Sequence, residues 1–220
     1  MASACLIACI AFAQDVKPPV VFLNGYQAGC SSPSSFQGTF GAAREILERD
    51  GRSVLFFDNC EGPSKNAAIE DIAANFGRYL DSLPAPQVDV VAHSLGGLVV
   101  RSYLTGKQRE RGVFRPPADV KIRKAIFLGV PNFGAVATEL PTAPTDTQSQ
   151  QMLRGSTFLF DLATWNQGTD DLRGMDAIAI LGWGTIRTTT RITIARVTPP
   201  RHSRTVFAMA SGISKTEPAR

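Results

Sequence analysis

Val88-Asp89-Val90-Val91-Ala92-His93-Ser94-Leu95-Gly96-Gly97-Leu98-Val99-Val100 is the stretch that decides the fold. Its apolar, β-branched start reads as a buried strand. A turn of small residues follows, with Ser94 at its centre. From Leu98 through Leu104 the apolar residues have helical spacing. A strand that passes into a helix over so few residues needs a tight turn at the serine. Only small residues at Ala92 and Gly96 let strand and helix pass so closely.

Strand, turn and helix together match G-x-S-x-G with alanine in the first place, the nucleophile elbow. On these residues the chain resembles the α/β-hydrolase superfamily, its bacterial lipases and esterases in particular. The resemblance covers residues 19–181. It implies an α/β fold, a doubly wound and mostly parallel sheet, with a short cap segment. It also implies that Ser94 is the nucleophile, with the Leu95 N–H as one oxyanion donor at the positive end of the following helix. The second donor maps to the N–H of Tyr26 in Asn24-Gly25-Tyr26-Gln27, with Gln27 the neighbouring option; Asn24 stands where these lipases usually carry histidine. Taken alone, that tetrapeptide is also a plain strand-to-loop turn, and Ser94 is also a helix N-cap. Gly129-Val130-Pro131-Asn132-Phe133-Gly134 is similar to the family's Thr-Pro-His-Phe-Gly segment.

The rest of the chain alternates strands with helices, which argues a parallel sheet wound on both faces. Strands are expected at 19–23, 53–57, 88–92, 124–128 and 176–181. Helices are expected at 34–50, with Phe36, Phe40, Ala43, Ile46 and Leu47 as an inward stripe, and at 66–83, with Ile69, Ile72, Ala73, Phe76 and Leu80 inward. Residues 106–119 are a polar connection. Residues 132–175 form the cap segment. Within it, the apolar stretch 157–165 is expected to be a short helix, either contacting an acyl chain or packing on the sheet.

A serine hydroxyl needs a histidine to take its proton and a carboxylate to hold that histidine. The chain has two histidines. His93 belongs to the elbow, so elimination and chain order give His202 as the base. Pro199-Pro200-Arg201-His202-Ser203-Arg204 reads equally as an exposed basic loop. The acid is expected on a loop after Leu181, yet no aspartate follows Gly182. Asp176, Asp170 and Asp171 precede the last expected strand, at the wrong edge of the sheet, and the acid stays unassigned.

Residues 182–220 stand apart. They hold eight threonines, six arginines, one lysine and one glutamate, and so carry +6 against −2 in residues 1–181, which leaves the chain at +4. A reading frame offset by two bases can give an acidic loop over 185–194 and Cys-His-Gly near residue 208, so a frame shift after about Leu181 is our hypothesis for this tail. A gene sequence that forbids the second frame rules it out. The basic tail has no aromatic interleaving or binding motif, and no nucleic-acid partner is expected.

Residues 1–13 form a signal-like segment, apolar and ending in Ala11-Phe12-Ala13, without a basic start. Leu6-Ile7-Ala8-Cys9 also fits a lipoprotein box, and a simple N-terminal strand or helix is the plain alternative. Residues 14–181 are the hydrolase core. Cleavage would leave Cys30 and Cys60, each just past an expected strand and so at one sheet edge. A disulfide in a secreted or periplasmic protein and two buried thiols are both open. No metal or organic cofactor is implied, because no cluster has ligand spacing. The expected function is hydrolysis of carboxylic esters of lipids, or of small esters, through an acyl-enzyme on Ser94, with transient contact with a lipid interface. The alternatives are a hydrolase-like binding protein with impaired catalysis, and an acyltransferase or thioesterase on the same fold.

Overall fold

The computed structural model describes residues 17–30, 35–139, 144–165, 172–185 and 188–197. Residues 1–16, with the signal-like segment, and residues 198–220, with His202, lie outside them. Six strands form one sheet in the order β2-β1-β3-β4-β5-β6. They are β1 (Val20–Leu23), β2 (Val54–Phe57), β3 (Val88–His93), β4 (Ile122–Leu128), β5 (Asp176–Thr185) and β6 (Thr188–Val197). The first five run parallel, and β6 returns antiparallel along β5.

The layers follow from alternation along β1. Val21 and Leu23 point to one face, where α3 (Ile69–Ser82) and α4 (Leu95–Thr105) pack. The five expected inward residues of α3 are all fully or nearly fully buried there. Val20 and Phe22 point to the other face, covered by α1 (Phe36–Phe40) and α2 (Ala43–Arg49). Phe22 meets Phe36 and Phe40 edge-on, with ring centroids 4.9 and 4.8 Å apart. Crossovers that step in opposite directions from β1 fall on opposite faces because each is right-handed. The expected single helix over 34–50 is instead two, broken at Gly41, whose φ of 56° leaves the helical region. The break rotates the second half. Ala43 and Leu47 still reach the small aromatic core, whereas Ile46, expected inward, is 56% exposed.

Two differences fall late in the chain. The last parallel strand was expected to end at Leu181 in a loop. It continues to Thr185 and is followed by β6. Thr188-Thr189-Thr190-Arg191-Ile192-Thr193-Ile194 is β-branched nearly throughout, which suits an edge strand. The second is α5 (Thr147–Gln151), a short polar helix that no apolar period announces. The expected apolar helix is α6 (Thr157–Thr164), which buries Phe158, Leu159 and Leu162 in the main core and leaves Phe160 exposed. Among the described residues no helix is long and apolar enough to cross a membrane.

A buried ion pair fastens α6. Lys107, just past α4, is 3.0 Å from Asp161, and both side chains are almost wholly buried. The Lys107 ammonium also donates to the carbonyls of Gln108 and Glu110, and Asp161 accepts the Gly112 N–H at 2.8 Å. Removing one partner of such a pair leaves an uncompensated buried charge. Asp161→Ala is expected to lower unfolding free energy by about 3–5 kcal/mol, read from urea midpoints. A midpoint within error of wild type would show that the pair does not hold α6.

Candidate active site

The carboxyl ends of β1, β2, β3 and β4 align: Leu23 is level with Phe57 and Ala92, and His93 with Leu128. The loops that leave them therefore meet at one edge. The chain steps to β2 on one side of β1 and to β3 on the other, so the switch point lies between β1 and β3, where open α/β sheets leave a crevice. Ser94 sits at that point, between β3 and α4.

Its backbone is at φ 52°, ψ −123°, a conformation that costs about 1–3 kcal/mol outside glycine. Its surroundings hold it there. The Ser94 N–H donates to Leu128 O at 2.8 Å, and its carbonyl accepts the Gly97 N–H at 3.0 Å. On the helix side, a Cβ added at Gly96 would stand 2.6 Å from Asn24 O, and one at Gly97 would stand 2.1 Å from a Val130 methyl. On the β1 side, a Cβ at Gly25 would stand 2.9 Å from His93 Nδ1 and 3.1 Å from Ser94 Cβ. Three glycines thus bring the β1 turn, the elbow and the loop after β4 into contact. Leu95 opens α4, so its N–H lies in the first turn, where N–H groups lack intrahelical acceptors. Tyr26 directly follows Gly25, the residue whose missing Cβ lets the turn approach Ser94.

The β1 turn is held from its other side by the loop after β2. Asn24 and Asn59 are each 1% exposed. Asn59 Nδ2 donates to Gly25 O at 3.0 Å and to Asn24 O at 3.3 Å; the Asn59 N–H donates to Asn24 Oδ1 at 3.1 Å. Asn24 Nδ2 reaches Asp58 Oδ1 at 3.3 Å, which also accepts the Cys60 N–H at 2.8 Å. Cys30 and Cys60 form a disulfide between the same two loops, with Cα atoms 5.3 Å apart. Of the two readings open for these cysteines, the structure has the disulfide.

Tyr26 extends its side chain toward residues 144–151. Its hydroxyl donates to Asp146, which also caps α5 by accepting the Ser149 N–H at 3.0 Å. Burial, with the Asp146 carboxylate next, pushes the Tyr26 phenol well above its ordinary pKa. At its far side α5 is tied to the start of α3: Gln148 donates to Ala67 O, and Gln151 accepts from the Ile69 N–H and donates to Glu70. The segment 144–151 is therefore fixed at the rim of the switch point.

His93 does not face outward. Its ring lies against Gly25 and meets Phe40 edge-on at 6.5 Å, and its buried Nδ1 has no hydrogen-bond partner among the described residues. Burial lowers its pKa, because desolvation disfavours the charged ring. Among the described residues none hydrogen-bonds the Ser94 hydroxyl, which is half-buried. Asp176 begins β5 at the opposite edge of the sheet, and Asp170 and Asp171 lie outside the described residues, as does His202. Among the described residues no group of three or more His, Cys, Asp or Glu could hold a metal ion. Sequence reasoning did not find Asn59. A polar residue just past a strand, at the edge that also holds Ser94, was its signal.

The sheet order and the elbow define the fold, which is that of the α/β-hydrolases. No family model and no curated protein matches the sequence. Phospholipase PlaB from Legionella pneumophila is similar in structure, with a TM-score of 0.55 and 17% identity over 77% of this chain and 40% of that one. The mature lipase BlEst2 from Bacillus licheniformis has a TM-score of 0.50 and 17% identity over 74% of this chain and 65% of its own. The chain thus spans 40% and 65% of the two neighbours.

The two elbow glycines differ in what they meet, and this separates their variants. Gly97→Ala collides with a side chain and Gly96→Ala with backbone. Each is expected to lower stability by about 1–3 kcal/mol. Adding Val130→Ala is expected to recover most of the Gly97→Ala loss and none of the Gly96→Ala loss. Equal recovery in a denaturant double-mutant cycle would refute this picture of the contact.

Proposed function

We propose that the protein is a serine hydrolase that cleaves carboxylic esters of lipids through an acyl-enzyme on Ser94. The observation that carries this reading is the Ser94 backbone at positive φ between a parallel strand and a helix, at the switch point of the sheet. A serine that serves only as a helix cap has no need of such strain, and the Ser94 side chain makes no capping hydrogen bond. In this reading Ser94 Oγ attacks the ester carbonyl. The carbonyl oxygen gains the negative charge, and the Tyr26 and Leu95 N–H groups stabilise it. The alcohol leaves, and water then hydrolyses the acyl-enzyme. We assign proton transfer to His202, since the His93 ring is enclosed by Gly25 and Phe40. An apolar substrate is supported by Phe133, 41% exposed on the loop after β4 at the Ser94 edge. The disulfide supports work outside the cytoplasm, where such bonds persist.

A fluorophosphonate probe is expected to label wild type at Ser94 and to leave folded Ser94→Ala unlabelled. Hydrolysis of p-nitrophenyl esters is expected to fall by at least about 10³-fold in Ser94→Ala, and strongly in His202→Ala. Folded wild type that neither labels nor hydrolyses would end the enzyme reading. Unchanged hydrolysis by His202→Ala would end the base assignment alone. Rates on short and long acyl chains then separate esterase from lipase.

A further inference from the structure

We infer that Asn59 is a positioning residue for the oxyanion site: its side-chain amide holds the Gly25 carbonyl and so fixes the direction of the Tyr26 N–H. The inference rests on the proposed roles of Ser94 and Tyr26 and adds a residue to them.

The argument is one of peptide geometry. The Gly25 carbonyl and the Tyr26 N–H belong to one planar trans amide and point in opposite directions. Asn59 Nδ2 sits 3.0 Å from that carbonyl, on the loop after β2. The same Nδ2 donates to Asn24 O at 3.3 Å, and that oxygen lies against Gly96 at the start of α4, so one amide group holds two successive carbonyls of the turn beside the elbow. A carbonyl held by Asn59 also fixes the direction of the N–H of the same amide. Gly25 is the residue whose missing Cβ lets the turn touch Ser94, and glycine has the freest backbone of any residue. The close approach that the site needs therefore comes with a peptide plane free to rotate. Asn59 supplies the restraint that Gly25, without a side chain, lacks.

Asn59 is itself fixed. Its N–H donates to Asn24 Oδ1 at 3.1 Å, its Nδ2 donates also to Asn24 O at 3.3 Å, and its neighbour Cys60 is bonded to Cys30. It is 1% exposed, so water does not compete for Gly25 O from its side. A carbonyl that accepts a hydrogen bond also polarises its amide, which strengthens the N–H as a donor. Preorganised donors of this kind lose effect when their direction is no longer set before charge develops.

The test compares 4-nitrophenyl benzoate with its thionocarbonyl analogue, on wild type, Asn59→Ala and Asn59→Asp. Sulfur is a poor hydrogen-bond acceptor, so the thionoester draws little on the oxyanion donors. Asn59→Ala is expected to lose about 10- to 100-fold in kcat on the oxoester, with KM changed less than about threefold. Its thionoester rate is expected to stay near wild type, so the oxo-to-thiono ratio falls by the same factor. Asn59→Asp keeps the side-chain shape and replaces the donor with a carboxylate, and gives the same decision if the alanine variant does not fold. A ratio equal to wild type, including one reached because both rates fall together, overturns the inference. Wild type that hydrolyses the oxoester and labels at Ser94 leaves the hydrolase reading standing in that case. Wild type that does neither removes both.

Discussion

The crossing of β3 and α4 against the β1 turn is the constraint on which the rest depends. It demands a serine at positive φ and glycines at 25, 96 and 97, because each of those positions faces atoms closer than a Cβ tolerates. The strain at Ser94 is offset by contacts drawn from elsewhere. Leu128 O takes its N–H, Val130 fills the space over Gly97, and the Leu23-Asn24 backbone closes over Gly96. The large buried faces of α3 and α4 do more than stabilise the domain. They hold the helix in the position that this crossing requires.

The polar groups at the sheet edge answer a second requirement. A turn that approaches this closely has little side chain of its own, so its backbone carbonyls must find partners in a place without water. Asn59 supplies them, and Asn24 returns the bond through its own amide oxygen. Tyr26 does the same work on the outer side, where its hydroxyl and Asp146 join the turn to α5. The turn is thus held from β2 by an amide and a disulfide, from β3 by van der Waals contact, and from the rim by a phenol.

Much of this was legible in the residues because it follows from period and punctuation. The stripe Ile69, Ile72, Ala73, Phe76 and Leu80 marks α3, and the elbow marks β3, the turn and α4 with the nucleophile candidate between them. What the sequence hid was set by tertiary contacts or by length. The apolar period places Ile46 inward only if one helix runs through Gly41, and the positive φ of that glycine breaks the phase. The helix α5 is five residues long and polar, so it has no apolar repeat to betray it; its bonds to Ala67, Ile69 and Tyr26 locate it. The strand β6 lay in a stretch whose composition drew attention to its charge rather than to its β-branched run. Asn59 carried no periodic signal at all. Its role is visible only when the ends of β1 and β2 are set side by side.

The elbow is local in sequence, but what restrains it is not. Asn24 and Asn59 are 35 residues apart where they bond, and the disulfide closes a separation of 30. Such contacts form only after the chain has closed its loops, and the entropy of closure must be met before they stabilise anything. A chain with β3, α4 and β4 formed but β1 undocked keeps the Leu128 and Val130 contacts and lacks those of Leu23, Asn24 and Gly25, so the elbow is restrained from one side only. The full set of contacts around Ser94 is therefore complete only when β1 lies between β2 and β3, so the local elbow depends on the assembly of the whole sheet.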